Sequence, residues 1–248
     1  MADTLPDDHY RITYEEVHEH ICGAAKRIKD EFDPDVILAV AGGGLFPARV
    51  LRTFLKRPSL IDPAKMRNVP ISVVSLALYE ESAASTAGTL GKEVVRTQWL
   101  DAKAIRGARG VEEGKGEGLL GKNILIVDEV DDSRTTLQYA YNELSKDVRT
   151  ALAALTPEER AALPPTRFGI FVVNNKERTK KGALPIYPAD TTRANEPITE
   201  SGIGEGCFYW AAKTTADLWI EYPWEQEDIL EHNRLAALAK KLGANQGN

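Results

Sequence analysis

The chain has 248 residues, 43% of them hydrophobic and 27% charged, and a formal net charge of −6. That composition suits an ordinary globular fold, and the acidic balance argues against broad nucleic-acid binding, which needs a basic face. No apolar run approaches the roughly 20 residues of a membrane-spanning helix, and the opening Met-Ala-Asp-Thr-Leu-Pro-Asp-Asp has no signal-peptide character.

Thr13-Tyr-Glu-Glu16 is a capping-box pattern and starts the first helix. Val17, Ile21, Ala24 and Ile28 follow at helical spacing, and Asp33-Pro34 stops it. Val36 to Ala41 is a continuous apolar run suited to a strand covered on both faces. Gly42-Gly-Gly44 comes next, then a helix from Pro47 to Leu55 with proline at its first position. Ile71 to Leu78 reads as a strand. Residues 80–118, rich in Ser, Thr, Ala, Gly and charge, read as a long flexible flap with a strand-like piece around Val94 to Trp99.

Ile124 to Val127 is a buried strand ending in Asp128, Glu129, Asp131 and Asp132, after which a helix runs to about Ser145. Thr156-Pro-Glu-Glu starts a further helix. Phe168 to Val173, Phe208 to Lys213 and Leu218 to Tyr222 complete the strands, and residues 226–243 form a terminal helix. The expectation is one α/β domain over residues 1–248. Cys22 and Cys207 are far apart and lack metal spacing, so free thiols in a reducing, cytoplasmic setting are expected.

Ligands in open α/β sheets sit beyond the carboxyl ends of strands. The 124–136 segment puts four carboxylates there, followed by Ser133, Arg134, Thr135 and Thr136 at a helix start. Such a start binds phosphate, and the crowded carboxylates call for sugar hydroxyls or a divalent cation to offset them. Asp132, just before the phosphate turn, is the best general-base candidate. The Gly42 turn lacks both the Walker pattern and the dinucleotide fingerprint, which leaves either a plain turn or a backbone anion site. Lys176 ends a strand, as a ligand donor or as a solvated lysine. Trp219 reads first as a packed strand residue and second as a stacking ring. His9 and His232 read as surface residues.

Together these residues resemble the type I phosphoribosyltransferases, in the 6-oxopurine branch that includes the fungal hypoxanthine-guanine and xanthine enzymes. Val127-Asp-Glu-Val-Asp-Asp-Ser-Arg-Thr-Thr136 resembles the signature for 5-phosphoribosyl-1-pyrophosphate (PRPP), and Leu38 to Ala48 is similar to the pyrophosphate loop. Phe171 to Lys176 and Leu218 to Glu225 are similar to the purine-recognition segments. The resemblance implies a mainly parallel twisted sheet flanked by helices, with a flap and a small hood, the hood and purine region spanning about 174–225. It implies a cytoplasmic homodimer engaged in purine salvage, with Mg2+, PRPP and hypoxanthine or guanine as ligands, and with mainly xanthine use or PRPP-sensing regulation as alternatives.

The resemblance also implies roles. Asp128 and Glu129 would hold the ribose hydroxyls and Mg2+, and Asp132 would handle the proton at purine N7. Ser133, Arg134, Thr135 and Thr136 would cradle the 5′-phosphate. Ala41, Gly42 and Gly43 would bind pyrophosphate, through a cis peptide at Ala41-Gly42. Lys176, Trp219, Ile220 and Glu221 would bind the purine, and Glu225 would lie near a second Mg2+. Arg134 stands where most of the superfamily has Gly, and Glu225 where it has Asp.

Overall fold

A computed structural model describes residues 4–59, 61–79, 93–101 and 118–243. Its central sheet has the order β6-β5-β2-β7-β8-β9, all parallel except that β6 runs antiparallel to β5. These strands are β2 (Val36–Val40), β5 (Ile71–Tyr79), β6 (Glu93–Gln98), β7 (Asn123–Asp131), β8 (Thr166–Lys176) and β9 (Ile203–Thr215). Most of the expected flap, residues 80–92 and 102–117, lies outside the described residues.

Helices cover both faces, which is why the central strands read as unbroken apolar runs. In β7, Leu125 and Val127 point to one core with Val17, Ile21, Ile28 and Leu51. Those four come from α1 (Tyr14–Glu31) and α2 (Leu45–Phe54). Ile124 and Ile126 point to the other core, with Leu137, Tyr141, Leu144 and Val148 of α3 (Thr135–Ala153). The period of two in the strand thus feeds two cores at once. A short α4 (Pro157–Ala161) follows from the expected start, with a capping box between Thr156 and Glu159.

Several boundaries differ from the sequence reading. α2 starts at Leu45, so Pro47 is its third residue; the Gly44 carbonyl accepts from the Ala48 N–H, and the missing proline N–H costs nothing in a first turn. α3 continues to Ala153, well past Ser145, because Val148, Ala151 and Leu152 prolong its apolar stripe. Of the expected strand Leu218 to Tyr222, only β10 (Ile220–Glu221) forms, and it pairs in parallel with β1 (Tyr10–Arg11) outside the main sheet. The three-residue strands β3 (Lys56–Pro58) and β4 (Met66–Asn68) form a separate antiparallel pair.

The terminal helix α5 (Ile229–Lys241) packs on β1. It carries His232, which is buried rather than exposed, with Nε2 2.9 Å from the Ile12 carbonyl. Both cysteines are free, Cys22 exposed and Cys207 buried. Among the described residues, no helix is long and apolar enough to cross a membrane.

Candidate active site

Three adjacent strand ends converge at one edge of the sheet. β2 delivers the Ala41–Gly44 turn, β7 delivers Asp128 to Asp132, and β8 delivers Lys176. The glycine triplet is needed here for two different reasons. Gly42 has φ +95°, a conformation that side chains disfavour. Gly44 is required by the backbone beside it, while Gly43 leaves room for the Glu129 side chain. A Cβ on Gly43 would lie 1.9 Å from the Glu129 carboxyl carbon, and one on Gly44 would lie 2.4 Å from the Val127 carbonyl oxygen. The turn therefore lets a carboxylate of the next strand rest on its backbone. The peptide bonds of the described residues are all trans, so the expected cis bond at Ala41-Gly42 is not present.

At the end of β7 the charges are compressed. Burial pushes the Asp128 carboxyl well above the usual carboxylate range, and the charge of Glu129 beside it adds to the shift. Glu129 Oε2 is buried without a hydrogen-bond partner. Glu225, in the single 3-10 turn Pro223–Glu225, is also raised, first by desolvation and then by Glu129. The three carboxylates share one electrostatic environment, and a cation would relieve it. Their oxygens are the donor type that a hard divalent ion takes, but among the described residues these three carboxylates do not bring their ligand atoms within 4.8 Å of one another.

Asp132 is half-exposed and faces two cations. Arg178 Nη1 donates to its Oδ1 at 2.9 Å, and Lys176 Nζ lies 3.6 Å away. Lys176 is nearly buried and so is not a solvated strand end. Arg178 also reaches Asp217 at 3.4 Å. Nothing in Lys176-Glu-Arg-Thr-Lys-Lys181 marked Arg178 in advance, since an aperiodic basic run reads as a solvated loop.

The purine-recognition segment is built differently from the sequence reading. Trp219 is 67% exposed instead of packed, because β10 begins one residue later and no layer covers the preceding loop. Its carbonyl accepts from the Tyr10 N–H at 2.8 Å, which fixes the loop, and its ring lies 6.2 Å from the His9 ring. Ile220 is buried. The Glu221 side chain is engaged elsewhere: Arg11 Nε lies 3.1 Å from its Oε2, and His9 Nδ1 lies 2.5 Å from its Oε1. Glu221 therefore braces β1 against β10, and only its backbone is left to face a base. An aromatic column of Tyr222, Trp224, Phe46 and Tyr14, with neighbouring centroids 4.8 to 5.0 Å apart, ties this strap to the start of α2. The buried Tyr222 hydroxyl lies 3.0 Å from both the Glu129 carbonyl and Asn174 Oδ1.

At the start of α3, the Ser133 hydroxyl donates to Thr135 Oγ1 at 3.1 Å. First-turn N–H groups of a helix have no partner within the helix, and that of Thr135 meets the Ser133 hydroxyl at 3.5 Å. The Arg134 guanidinium binds Asp131 through Nε and Nη2 at 2.9 and 2.7 Å, so this part of the side chain is engaged within the protein.

An acidic strand end, a glycine turn, a helix start bearing hydroxyls and an aromatic strap on one mainly parallel sheet make up the type I phosphoribosyltransferase architecture. No family model matches the chain. The hypoxanthine-guanine phosphoribosyltransferase of Schizosaccharomyces pombe is 40% identical over 222 residues, covering 89% of this chain and 91% of that protein. Xanthine phosphoribosyltransferase 1 of Saccharomyces cerevisiae is 39% identical over 227 residues, covering 91% and 93%. A solved structure of a hypothetical protein from Neisseria gonorrhoeae with bound ppGpp is 31% identical, with a TM-score of 0.63 and coverage of 93% and 96%. The chain belongs to the hypoxanthine-guanine and xanthine phosphoribosyltransferase family.

Proposed function

We propose that this enzyme transfers the 5-phosphoribosyl group of PRPP to N9 of hypoxanthine or guanine, giving IMP or GMP and pyrophosphate, with Mg2+ as its divalent ion. The observation that carries this reading is the Glu129 carboxylate against Gly43, with Asp128 beside Glu129 and with Asp132 and Lys176 3.6 Å apart. The first group suits ribose and pyrophosphate, and the second suits a base with a ring nitrogen and an oxo group.

In this reading Asp128 and Glu129 accept from the ribose hydroxyls, while Ala41, Gly42 and Gly43 offer backbone donors to the pyrophosphate. The helix start at Ser133 to Thr136 holds the 5′-phosphate. Lys176 donates to the purine 6-oxo group, and Asp132 takes part in the proton movement at N7 as N9 attacks C1′. Asp128, Glu129 and Glu225 would hold Mg2+, which when bound neutralises charge on the departing pyrophosphate. The transition state at C1′ has oxocarbenium character, as in glycoside chemistry, so the buried carboxylates near the ribose stabilise developing positive charge.

The exposed Trp219 ring stacks on the purine. Trp219→Ala is expected to raise the KM for the purine about tenfold, since loss of base–aromatic stacking costs about 1–3 kcal/mol, with the KM for PRPP within about twofold. A larger effect on PRPP would show that Trp219 does not stack on the base.

The deciding experiment is turnover with PRPP, MgCl2 and, in separate runs, hypoxanthine, guanine, xanthine or adenine, read as nucleotide formed. Hypoxanthine and guanine are expected as the best acceptors. Turnover with xanthine alone would overturn the assigned preference, and turnover with none of the four would overturn the transferase reading itself. The bound ppGpp of the N. gonorrhoeae protein, a guanine nucleotide, supports the same kind of ligand here.

A further inference from the structure

Arg134 is one of two residues other than glycine with positive φ among the described residues, at φ 68° and ψ −1°. A side chain there is disfavoured, and such a conformation persists only where its surroundings hold it. Here the surroundings are unusually complete. Arg134 Nε and Nη2 donate to Asp131 Oδ2 at 2.9 and 2.7 Å, and the Tyr209 hydroxyl donates to the same oxygen at 2.8 Å. The guanidinium lies over the Tyr209 ring, 5.3 Å from its centroid. Asp131 is fully buried.

A second layer comes from the hood. Lys180 Nζ donates to the carbonyls of Asp131, Lys176 and Asp132 at 2.5, 2.9 and 3.0 Å. The N–H groups of Lys181 and Gly182 both donate to the Ser133 carbonyl at 3.0 Å. Gly182 sits so close that a Cβ would lie 2.6 Å from the Arg134 carbonyl oxygen. The turn is thus clamped from the sheet side by side chains and from residues 180–182 by the Lys180 ammonium and two backbone N–H groups.

We propose that Arg134 is a positioning residue for PRPP: clamped by Asp131 and Tyr209, it holds its own peptide left-handed and so aims the first N–H groups of α3 at the 5′-phosphate. Its charge is spent within the protein, and its effect on the substrate passes through the backbone. The inference rests on the assignment of Ser133 to Thr136 to the 5′-phosphate.

The test compares Arg134→Ala, Arg134→Gly, Tyr209→Phe and Thr136→Val by the KM for PRPP and for the purine. Arg134→Ala loses the clamp but keeps the side-chain penalty at positive φ, and its KM for PRPP should rise about tenfold, the equivalent of about 1.4 kcal/mol. Arg134→Gly tolerates positive φ and should rise only about threefold. Tyr209→Phe, which removes one bond to Asp131, should move in the same direction. The KM for the purine should stay within about twofold throughout, a split that general loss of structure would not produce. Equal effects of Gly and Ala with a silent Tyr209→Phe would overturn the proposal, since they would mean direct contact between the guanidinium and phosphate. A silent Arg134→Ala overturns it as well. A silent Thr136→Val would instead overturn the phosphate assignment beneath it.

Discussion

Asp132→Asn is expected to lower kcat by about 10²- to 10⁴-fold, the usual range for losing a general acid–base group, while PRPP affinity stays within about threefold. The substitution keeps shape and one acceptor oxygen, so Arg178 can retain the contact it makes at 2.9 Å. What it removes is a group able to take up a proton beside Lys176. A kcat measured with saturating PRPP and hypoxanthine, together with PRPP titration of the mutant, separates the two effects. If turnover falls less than threefold, the proton passes elsewhere and Asp132 only shapes the pocket.

Asp128→Asn should have opposite effects on stability and activity. Burial, then Glu129, raises the Asp128 carboxyl well above its ordinary value. The folded state therefore binds a proton more tightly than the unfolded chain, and stability must fall as pH rises from the ordinary carboxylate range through the raised value. Below that window the carboxyl is protonated in both states and costs nothing. Asparagine keeps the 3.0 Å acceptor for the Glu129 N–H but carries no charge. The ligand-free mutant should thus melt several degrees higher than wild type at neutral pH, at about 2–4 °C per kcal/mol for a chain of this size. The difference should shrink on acidification, and turnover should fall by orders of magnitude. Melting curves across pH decide it: a mutant that melts lower at neutral pH, or a gap that widens in acid, would refute the account. Saturating PRPP with MgCl2 should reverse the order, because ligand binding favours the folded form and wild type binds it better.

These two residues were the easiest to read in advance. A strand covered on both faces has no polar exception until its ligand-facing end, so the run Ile124 to Val127 breaking into Asp128 and Glu129 marks both the strand and the site. The same logic located β2, the glycine turn and Lys176. Arg134 was legible as an oddity but not as a clamp, because its partners Asp131 and Tyr209 are joined only by tertiary packing. Trp219 was misread because Leu218 and Ile220 give it strand-like neighbours, whereas β10 is a two-residue strand that exists through β1. A pairing that short leaves no periodicity to detect. Arg178 and Lys180 were missed for a related reason: in a hood without regular structure, a lysine that caps three carbonyls looks like any solvated lysine.

The β1–β10 pair also bears on the order in which the enzyme comes into being. Arg11 meets Glu221 across 210 residues, and the loop carrying Trp219 hangs from Tyr10. A ribosome delivers the glycine turn, the acidic strand end and the helix start long before it delivers the strap. The growing chain can therefore assemble the acidic strand end and the glycine turn while the strap carrying Trp219 does not yet exist. The strap closes last, and it closes on a segment made well before the central sheet. Trimming the first dozen residues should accordingly impair use of the base ahead of any loss in the central sheet.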